Sequence, residues 1–406
     1  MNIWILNHYA GTPDDNQTTG NYELGRQLVK KGHVVTIFAS GFGHRGWRDE
    51  KLKSEEVCKV EYYNGVRFIW IRTVPYRRND WRRAANMLSY TWRSCWAGMR
   101  MRERPAVVIG TCPHPLAVAS ACVLSGLKRS RFFFEVRDLW AETIVDSEVL
   151  SRSHLITRVV KWVETSLLRR ADRIITLLPH IYQHTRAIGI PDERITWIPN
   201  GVDLEAFRAI PKVTTKGSRV FTVMYVGGFA RYNGVSTILE AAGILRDRGA
   251  NHVKFVLVGD GPEKVKLMQR AAELHLTNVE FSGSMPKREI PRAMQAADAF
   301  AYTVRSISEL RYGISPQKLY EYMASGRPVV FAADAPNNPI EEASAGVTVA
   351  AENSEALAQG VLQLERMSDE ERDRMGRNGI EYVRRYHDVS MLGDRLEELI
   401  IASAGE

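Results

Sequence analysis

Residues 2–40, "NIWILNHYAGTPDDNQTTGNYELGRQLVKKGHVVTIFAS", decide the fold. The opening "NIWIL" is apolar and of strand length. In "NYELGRQLVKKG" Leu24 and Leu28 recur at i,i+4 and Gly32 follows as a helix stop, while "HVVTIFAS" is short and β-branched. The order strand, helix, strand is a βαβ unit. Its loop, "GTPDDNQTTGNYELG", is long for a βα connection, and such loops often carry function. Gly20 there either lets the backbone approach a diphosphate or an acceptor, or is a plain flexible turn.

The same alternation continues outward from this unit. "AVVIGT", "RFFFEV", "RIITLL" and "ITWIPN" are apolar enough to be covered on both faces, as parallel strands are. Residues 208–219, "RAIPKVTTKGSR", hold proline, glycine and cations without a sustained apolar pattern, and they read as a linker. A second series follows in "FTVMYVGG", "VKFVLVGDG", "VEFSG", "AFAYTV", "PVVFAA" and "GVTVA", interleaved with helices such as "GVSTILEAAGILRDRG". The expected organisation is α/β: a first Rossmann-like domain over 1–207, the linker, a second over 220–384, and a C-terminal helix over 385–406 packing back on the first. Ligands are expected where strand carboxyl ends face a cleft between the domains.

Composition sets limits on function. The chain has 406 residues, 45% hydrophobic and 25% charged, with no apolar run of membrane-spanning length. The start "MNIWILNHYAGTPDD" lacks a basic leader and a small-residue cleavage site, so export is not expected. Four scattered cysteines form no Cys-x-x-Cys pair, so neither a zinc site nor a disulfide framework is indicated, which suits a reducing cytoplasm. A net charge of +8 points to an anionic partner: nucleic acid, a phosphorylated small molecule or an acidic membrane.

The stretch "LRYGISPQKLYEYMASGRPVV", residues 310–330, joins a loop to a helix and a strand. Ser315 before Pro316 reads as an N-cap followed by proline at the first helical position. The free N–H groups and dipole of such a helix start can hold an anion. Lys318 in the first turn opposes the dipole and so implies an anionic ligand. Glu321 lies at i+3 from it, suited to accept hydrogen bonds from ribose hydroxyls. The alternative is a Lys318–Glu321 ion pair on a solvated face.

"EYMASGRPVV" resembles the end of the donor-site motif of glycosyltransferase family 4. "IPNGVD" (198–203), "VGGFARYNGVSTILEAA" (226–242) and "VGDGPE" (258–263) support it, in the family's order and over nearly the whole chain. The resemblance implies the GT-B fold, two Rossmann-like domains facing across a cleft, and retaining transfer from a nucleotide-sugar. It implies donor binding by Gly20, Gly228, Arg231, Ser315, Pro316, Gln317, Lys318 and Glu321. The chain also departs from the family. The first of the two usual glutamates falls at Gly313, and the usual Arg and Lys of the second-domain phosphate loop fall at Gly228 and Asn233. Arg231 remains as the nearby cation, and Lys318 takes over part of the lost charge.

"GISPQKLYEYM" with "RDLWAE" (137–142) resembles a branch acting in bacterial surface-polysaccharide synthesis, several of whose members use N-acetylated amino-sugar donors. Arg137 stands where many relatives have histidine, which leaves Asp138 as the polar candidate on the acceptor side; otherwise Asp138 caps the following segment. Catalytic roles therefore fall to Asp138, Lys318 and Arg231. His114 and His180 read as lone structural histidines. No Asp-x-Asp pair occurs, so metal-independent chemistry without a cofactor is expected.

Residues 76–104, "YRRNDWRRAANMLSYTWRSCWAGMRMRER", hold eight arginines against Asp80 and Glu103, interleaved with Trp81, Trp92 and Trp96. They suit an anionic lipid interface or single-stranded nucleic acid, or else form a core helix with a cationic outer face. No nucleic-acid-binding signature supports the second option. The expected partners are a UDP-linked sugar, a lipid-linked saccharide acceptor and an anionic membrane, with the enzyme peripheral on the inner face. The alternatives are a nucleotide-sugar epimerase, or a non-catalytic nucleotide-sugar or RNA-binding protein.

Overall fold

A computed structural model describes the chain outside residues 16–17, 44–47, 50, 78–80, 113, 147–150, 152, 209–219 and 405–406. Most of the expected linker, and Arg78 and Asp80 of the basic segment, thus lie outside the described residues. In the first half the elements run β1 (Asn2–Leu6), α1 (Gly20–Lys30), β2 (Val34–Ser40), β3 (Phe42–Gly43), β4 (Arg48–Asp49), β5 (Cys58–Tyr63), β6 (Val66–Ile71), α2 (Trp81–Arg100), β7 (Val107–Thr111), α3 (Pro115–Lys128), β8 (Arg131–Val136), α4 (Trp140–Asp146), α5 (Leu155–Arg170), β9 (Arg173–Thr176), α6 (Tyr182–Ala187) and β10 (Ile195–Trp197). The second half holds α7 (Leu204–Arg208), β11 (Phe221–Val226), α8 (Val235–Asp247), β12 (Val253–Val258), α9 (Lys264–Glu273), β13 (Val279–Gly283), α10 (Ile290–Met294), β14 (Ala299–Thr303), α11 (Gln317–Ala324), β15 (Val329–Ala332), α12 (Pro339–Ala343), β16 (Gly346–Val349), α13 (Ser354–Arg366), α14 (Asp369–Tyr386) and α15 (Val389–Ala404).

Two compact units result. One comprises Met1–Asn200, Tyr312–Ser315 and Val389–Glu406, the other Gly201–Arg311 and Pro316–Asp388. The first holds an eight-stranded sheet in the order β10-β9-β8-β7-β1-β2-β6-β5. It is parallel except for β5, which pairs antiparallel with β6. The sequence reading omits this hairpin because β5 has no fully buried face. Its signal is the turn Asn64-Gly65, with φ of 48° and 83°, the conformation of a two-residue hairpin loop.

Helices α2, α3 and α5 cover one sheet face, where Tyr90, Val118, Leu124 and Leu167 pack on Trp4, Phe38, Val108 and Phe134. The other face receives α1 and α15, with Leu28, Leu392 and Leu396 against Ile5, Val35 and Ile37. Each such fully buried side chain contributes about 1.5–3 kcal/mol.

The second unit has a parallel six-stranded sheet in the order β13-β12-β11-β14-β15-β16. Its core joins Val223, Tyr225, Phe255 and Val330 to Ile238, Leu239 and Leu357. Among the parallel strands of each sheet the order reverses once, between β1 and β7 and between β11 and β14. Loops at such reversals open at the strands' carboxyl ends, where open parallel sheets bind ligands.

Candidate active site

In the second unit the reversal is occupied by Lys318. Tyr322, one turn further along α11, fixes that helix: its hydroxyl accepts from the Val226 N–H at 2.8 Å and donates to the Val226 carbonyl at 2.7 Å. Tyr322 also stacks on Phe300 of β14, 4.4 Å between centroids. The i,i+4 spacing then brings Lys318 to the same strand ends. Its Nζ lies 4.8 Å from the Tyr225 ring centroid and 5.0 Å from that of Tyr302, one ring from each flanking strand. It donates to Asn233 Oδ1 at 2.6 Å and to the Tyr225 hydroxyl at 3.2 Å.

These partners are neutral. Burial pushes the Lys318 ammonium down to about 7, and among the described residues no carboxylate pairs with it. The Lys318–Asn233 bond sets the lysine's amine beside Asn233, the position where the family resemblance places a lysine. Around it, Tyr225 OH and Asn233 Nδ2 both donate to the Gly228 carbonyl at 2.8 Å. Thr303 Oγ1 donates to the Asn233 carbonyl at 2.7 Å. A Cβ at Gly227 would lie 3.0 Å from Tyr225 Oη and 3.2 Å from Lys318 Cδ, so a side chain there would crowd both. Arg231 is exposed on the short turn before α8.

Glu321 does not pair with Lys318. It is 5% exposed and forms an ion pair with Lys287, a residue the sequence reading does not single out. The expected cap is also corrected. Helix α11 starts at Gln317, with Pro316 in extended conformation at the cap position and no side-chain cap bond. Ser315 Oγ is engaged elsewhere: it accepts from the Asn200 N–H at 3.0 Å, and the Ser315 carbonyl accepts from Asn200 Nδ2 at 2.5 Å. Gly313 has φ 86°, a conformation that favours glycine, so the missing first glutamate goes with a turn that a side chain would strain.

In the first unit Asn200 gathers several of the expected residues. Its Oδ1 accepts from Arg137 at 2.8 Å. A Cβ on Gly20 would lie 3.5 Å from both Arg137 Nη1 and Asn200 Oδ1. Arg137 Nη1 also donates to Glu135 Oε1 at 3.3 Å. Glu135, 3% exposed, accepts through its other oxygen from Asn21 at 2.8 Å and Thr111 at 2.6 Å. Gly20, Arg137 and Ser315 thus meet in one polar cluster of the first unit, with Lys318 and Glu321 in the second unit.

Asp138 is exposed and makes no hydrogen bond to the described residues. The surrounding protein desolvates its carboxyl and raises it from the usual value, with Arg137 pulling the other way. Asp138 does not cap the next helix: the Trp140 N–H donates to Glu164 Oε1 at 2.8 Å, and burial raises Glu164 to about 7. His114 is buried, with Nδ1 accepting from the Ala117 N–H at 3.2 Å and Nε2 2.7 Å from His8 Nδ1. It caps α3. Among the described residues no group of three or more His, Cys, Asp or Glu is placed to hold a metal ion.

The sequence reading misses Glu135, Asn200, Tyr225, Tyr302 and Lys287 as site residues. Asn200 belongs to the quoted "IPNGVD", a signal left without a role; the others lie in ordinary strands or in a polar run.

Comparison with known proteins follows the same division. Residues 17–201 match the family described as "Glycosyl transferase 4-like domain", and residues 207–382 match "Glycosyl transferases group 1". The putative colanic acid biosynthesis glycosyl transferase WcaI of Escherichia coli is 21% identical over 358 residues, 84% of this chain and 86% of that one. Among solved structures, sucrose-phosphate synthase of Thermosynechococcus elongatus superposes with TM-score 0.74 at 18% identity, covering 99% of both chains. Anabaena HepE in complex with UDP-glucose gives TM-score 0.69 at 16% identity, covering 99% of this chain and all of that one.

Proposed function

The chain is a glycosyltransferase of the GT-B fold, and we propose that it moves an N-acetylated amino sugar, with retention, from a UDP-linked donor to a lipid-linked saccharide in bacterial surface-polysaccharide synthesis. The observation that carries the donor assignment is Lys318, a half-buried lysine with only neutral partners at the β11–β14 reversal. An anionic diphosphate supplies the missing counter-charge. The named role of the colanic acid relative supports the pathway class, and the UDP-glucose bound to HepE supports the uridine donor. The amino sugar rests on the likeness of "GISPQKLYEYM" and "RDLWAE" to that branch.

In this reading the bond between the sugar's anomeric carbon and the diphosphate oxygen breaks, and the acceptor oxygen bonds to the same face of that carbon. The acceptor proton ends on the departing diphosphate. Lys318, with Arg231 as a second cation, stabilises the negative charge that develops on the leaving group, the step where a preoriented charge gains most. Glu321 holds the ribose hydroxyls. Gly20 and Gly228 let the backbone approach the ligand. Asp138, set beside Arg137, orients the acceptor hydroxyl, so the protein contributes positioning more than a strong base. The chemistry needs no metal, and the enzyme works on the cytoplasmic side of the membrane as a peripheral protein.

The test is transfer by the purified protein from UDP-N-acetylglucosamine and UDP-N-acetylgalactosamine to a polyprenyl-diphosphate-linked sugar in excess chelator, read by mass spectrometry. A product heavier by one N-acetylhexosamine, with the anomeric configuration kept, is expected. Free epimerised sugar without transfer, or activity restored only by magnesium, contradicts the reading.

A further inference from the structure

A lipid-linked acceptor requires the enzyme at a membrane surface, and the sequence offers one basic, tryptophan-bearing segment, now α2. The first unit holds more than that helix. Helices α2, α3 and α5 lie side by side over one sheet face and share one core, so their solvent sides point the same way. Along α2, Trp81, Leu88, Trp92 and Met99 follow at i, i+7, i+11 and i+18, a single line at 3.6 residues per turn. All four are exposed, Trp81 by 73% and Trp92 by 71%. Trp96 is only half-buried beneath Arg100, 3.8 Å from its ring.

Helix α5 repeats the pattern without any prompting from composition. Leu155, Ile156, Val159 and Trp162 occupy the outer side of its first two turns, and Leu155 and Trp162 are each 70% exposed. Between the two helices α3 adds exposed Val123 and Leu127. A surface helix ordinarily keeps its apolar stripe for the core and turns polar residues outward. Here the inner sides are apolar as usual, and the outer sides carry apolar stripes as well.

Charge is concentrated on the same helices, with Arg82, Arg100, Arg158, Lys161, Arg169 and Arg170 exposed. The three helices contain nine Lys and Arg residues and one acid, Glu164, which is buried and holds the Trp140 N–H. Their positive excess is as large as the net charge of the whole chain, +8.

We propose that the outer face of the α2–α3–α5 layer is a bilayer-docking surface, with the first two turns of α5 set into an anionic membrane and the cations of α2 and α5 against the headgroup phosphates. The proposal rests on the lipid-linked reading given above. Charge decides against a second copy of the chain as the occupant, since two such faces would oppose like charges. Nucleic acid would be met by rings that stack on bases, whereas the exposed apolar residues of α3 and most of those on α5 are aliphatic. Aliphatic residues with tryptophans and flanking cations are the composition of an interfacial helix. Among the described residues no helix is long and apolar enough to cross a membrane, so the anchorage is on one leaflet.

The test uses the full chain, sedimented with phosphatidylcholine vesicles and with vesicles one-third phosphatidylglycerol. Donor binding is followed in parallel by thermal shift with UDP. The wild type should pellet with anionic vesicles and be released by salt. Leu155→Ser with Trp162→Ser, and separately Arg158→Glu with Lys161→Glu, should each weaken vesicle binding about tenfold or more, with the UDP shift unchanged. If the wild type binds anionic vesicles and both α5 variants bind equally well, the α5 surface is refuted while a membrane role for α2 survives. If the wild type binds neither vesicle, this proposal and the membrane part of the lipid-linked reading fall together. Retention of single-stranded RNA in place of vesicles overturns the proposal in favour of a nucleic-acid face.

Discussion

Two cations, Arg137 in the first unit and Lys318 in the second, both follow strands at the carboxyl edge of a parallel sheet, and they are treated in opposite ways. Arg137 is met by a buried carboxylate, Glu135, and by the Asn200 amide. Lys318 is met by an amide oxygen, a phenol and two aromatic faces. The fold compensates the first charge internally and gives the second no counter-charge, lowering it by burial instead. Equal topology therefore does not make equal sites: the charge without a counter-charge in the protein is the one we propose as the donor's anion site. Lys287 and Glu321 fall between these cases, an ion pair at the same strand ends that a ribose would have to share.

The comparison can be broken by removing each cation. Lys318→Met should lower turnover at saturating donor about 100–1000-fold, the loss seen when one oriented group that stabilises a leaving charge is deleted. The fold should persist, because no carboxylate is stranded by the change. Arg137→Met does the reverse. It leaves Glu135 buried without its cation and should cost about 3 kcal/mol, the lower end for an opened buried pair, read as a fall of roughly 6–12 °C in melting temperature. If Lys318→Met destabilised the chain more than Arg137→Met, the contrast would be wrong. Glu321→Gln should weaken UDP binding about tenfold by calorimetry, since hydrogen bonds to a charged group contribute about 1.5–3 kcal/mol. Unchanged affinity would take the ribose role from Glu321.

The smallest effect is a pH slope. Lys318 is lowered from its ordinary 10.5 to about 7 by burial, so between these values the unfolded chain binds a proton that the folded chain does not. Its contribution is fully present above 10.5 and is lost as pH falls toward 7. Stability should therefore rise with pH across that window more steeply in the wild type than in Lys318→Met. Parallel denaturation curves at each pH would contradict this.

The two-unit α/β architecture is legible because strand and helix periodicities alternate along the whole chain. The β5–β6 hairpin is not, since β5 has no buried run to mark it. Lys318 is legible because a lysine in a first helical turn opposes the dipole, and the vacancy at Asn233 is legible from the family pattern. That the two touch across 85 residues of chain is a tertiary fact. Ser315 shows the opposite limit. Serine before proline has the local signature of a cap, and the Asn200 N–H outcompetes the helix for its hydroxyl. Glu135 and Lys287 sit in a strand and a polar run of ordinary appearance, and only their partners give them meaning. In α5 the apolar residues recur on both sides of the helix, so periodicity alone does not say which side meets the core.

In the proposed donor site Lys318 binds the diphosphate as a full cation. At about pH 8 a lysine titrating near 7 is mostly neutral, and pairing with a diphosphate must draw a proton onto it. Calorimetric titration with UDP in two buffers of different ionisation heat counts that proton. Uptake of about one proton per UDP is expected in the wild type and none in Lys318→Met. Equal proton counts in the two proteins would show that the charge at the diphosphate is supplied by some other group.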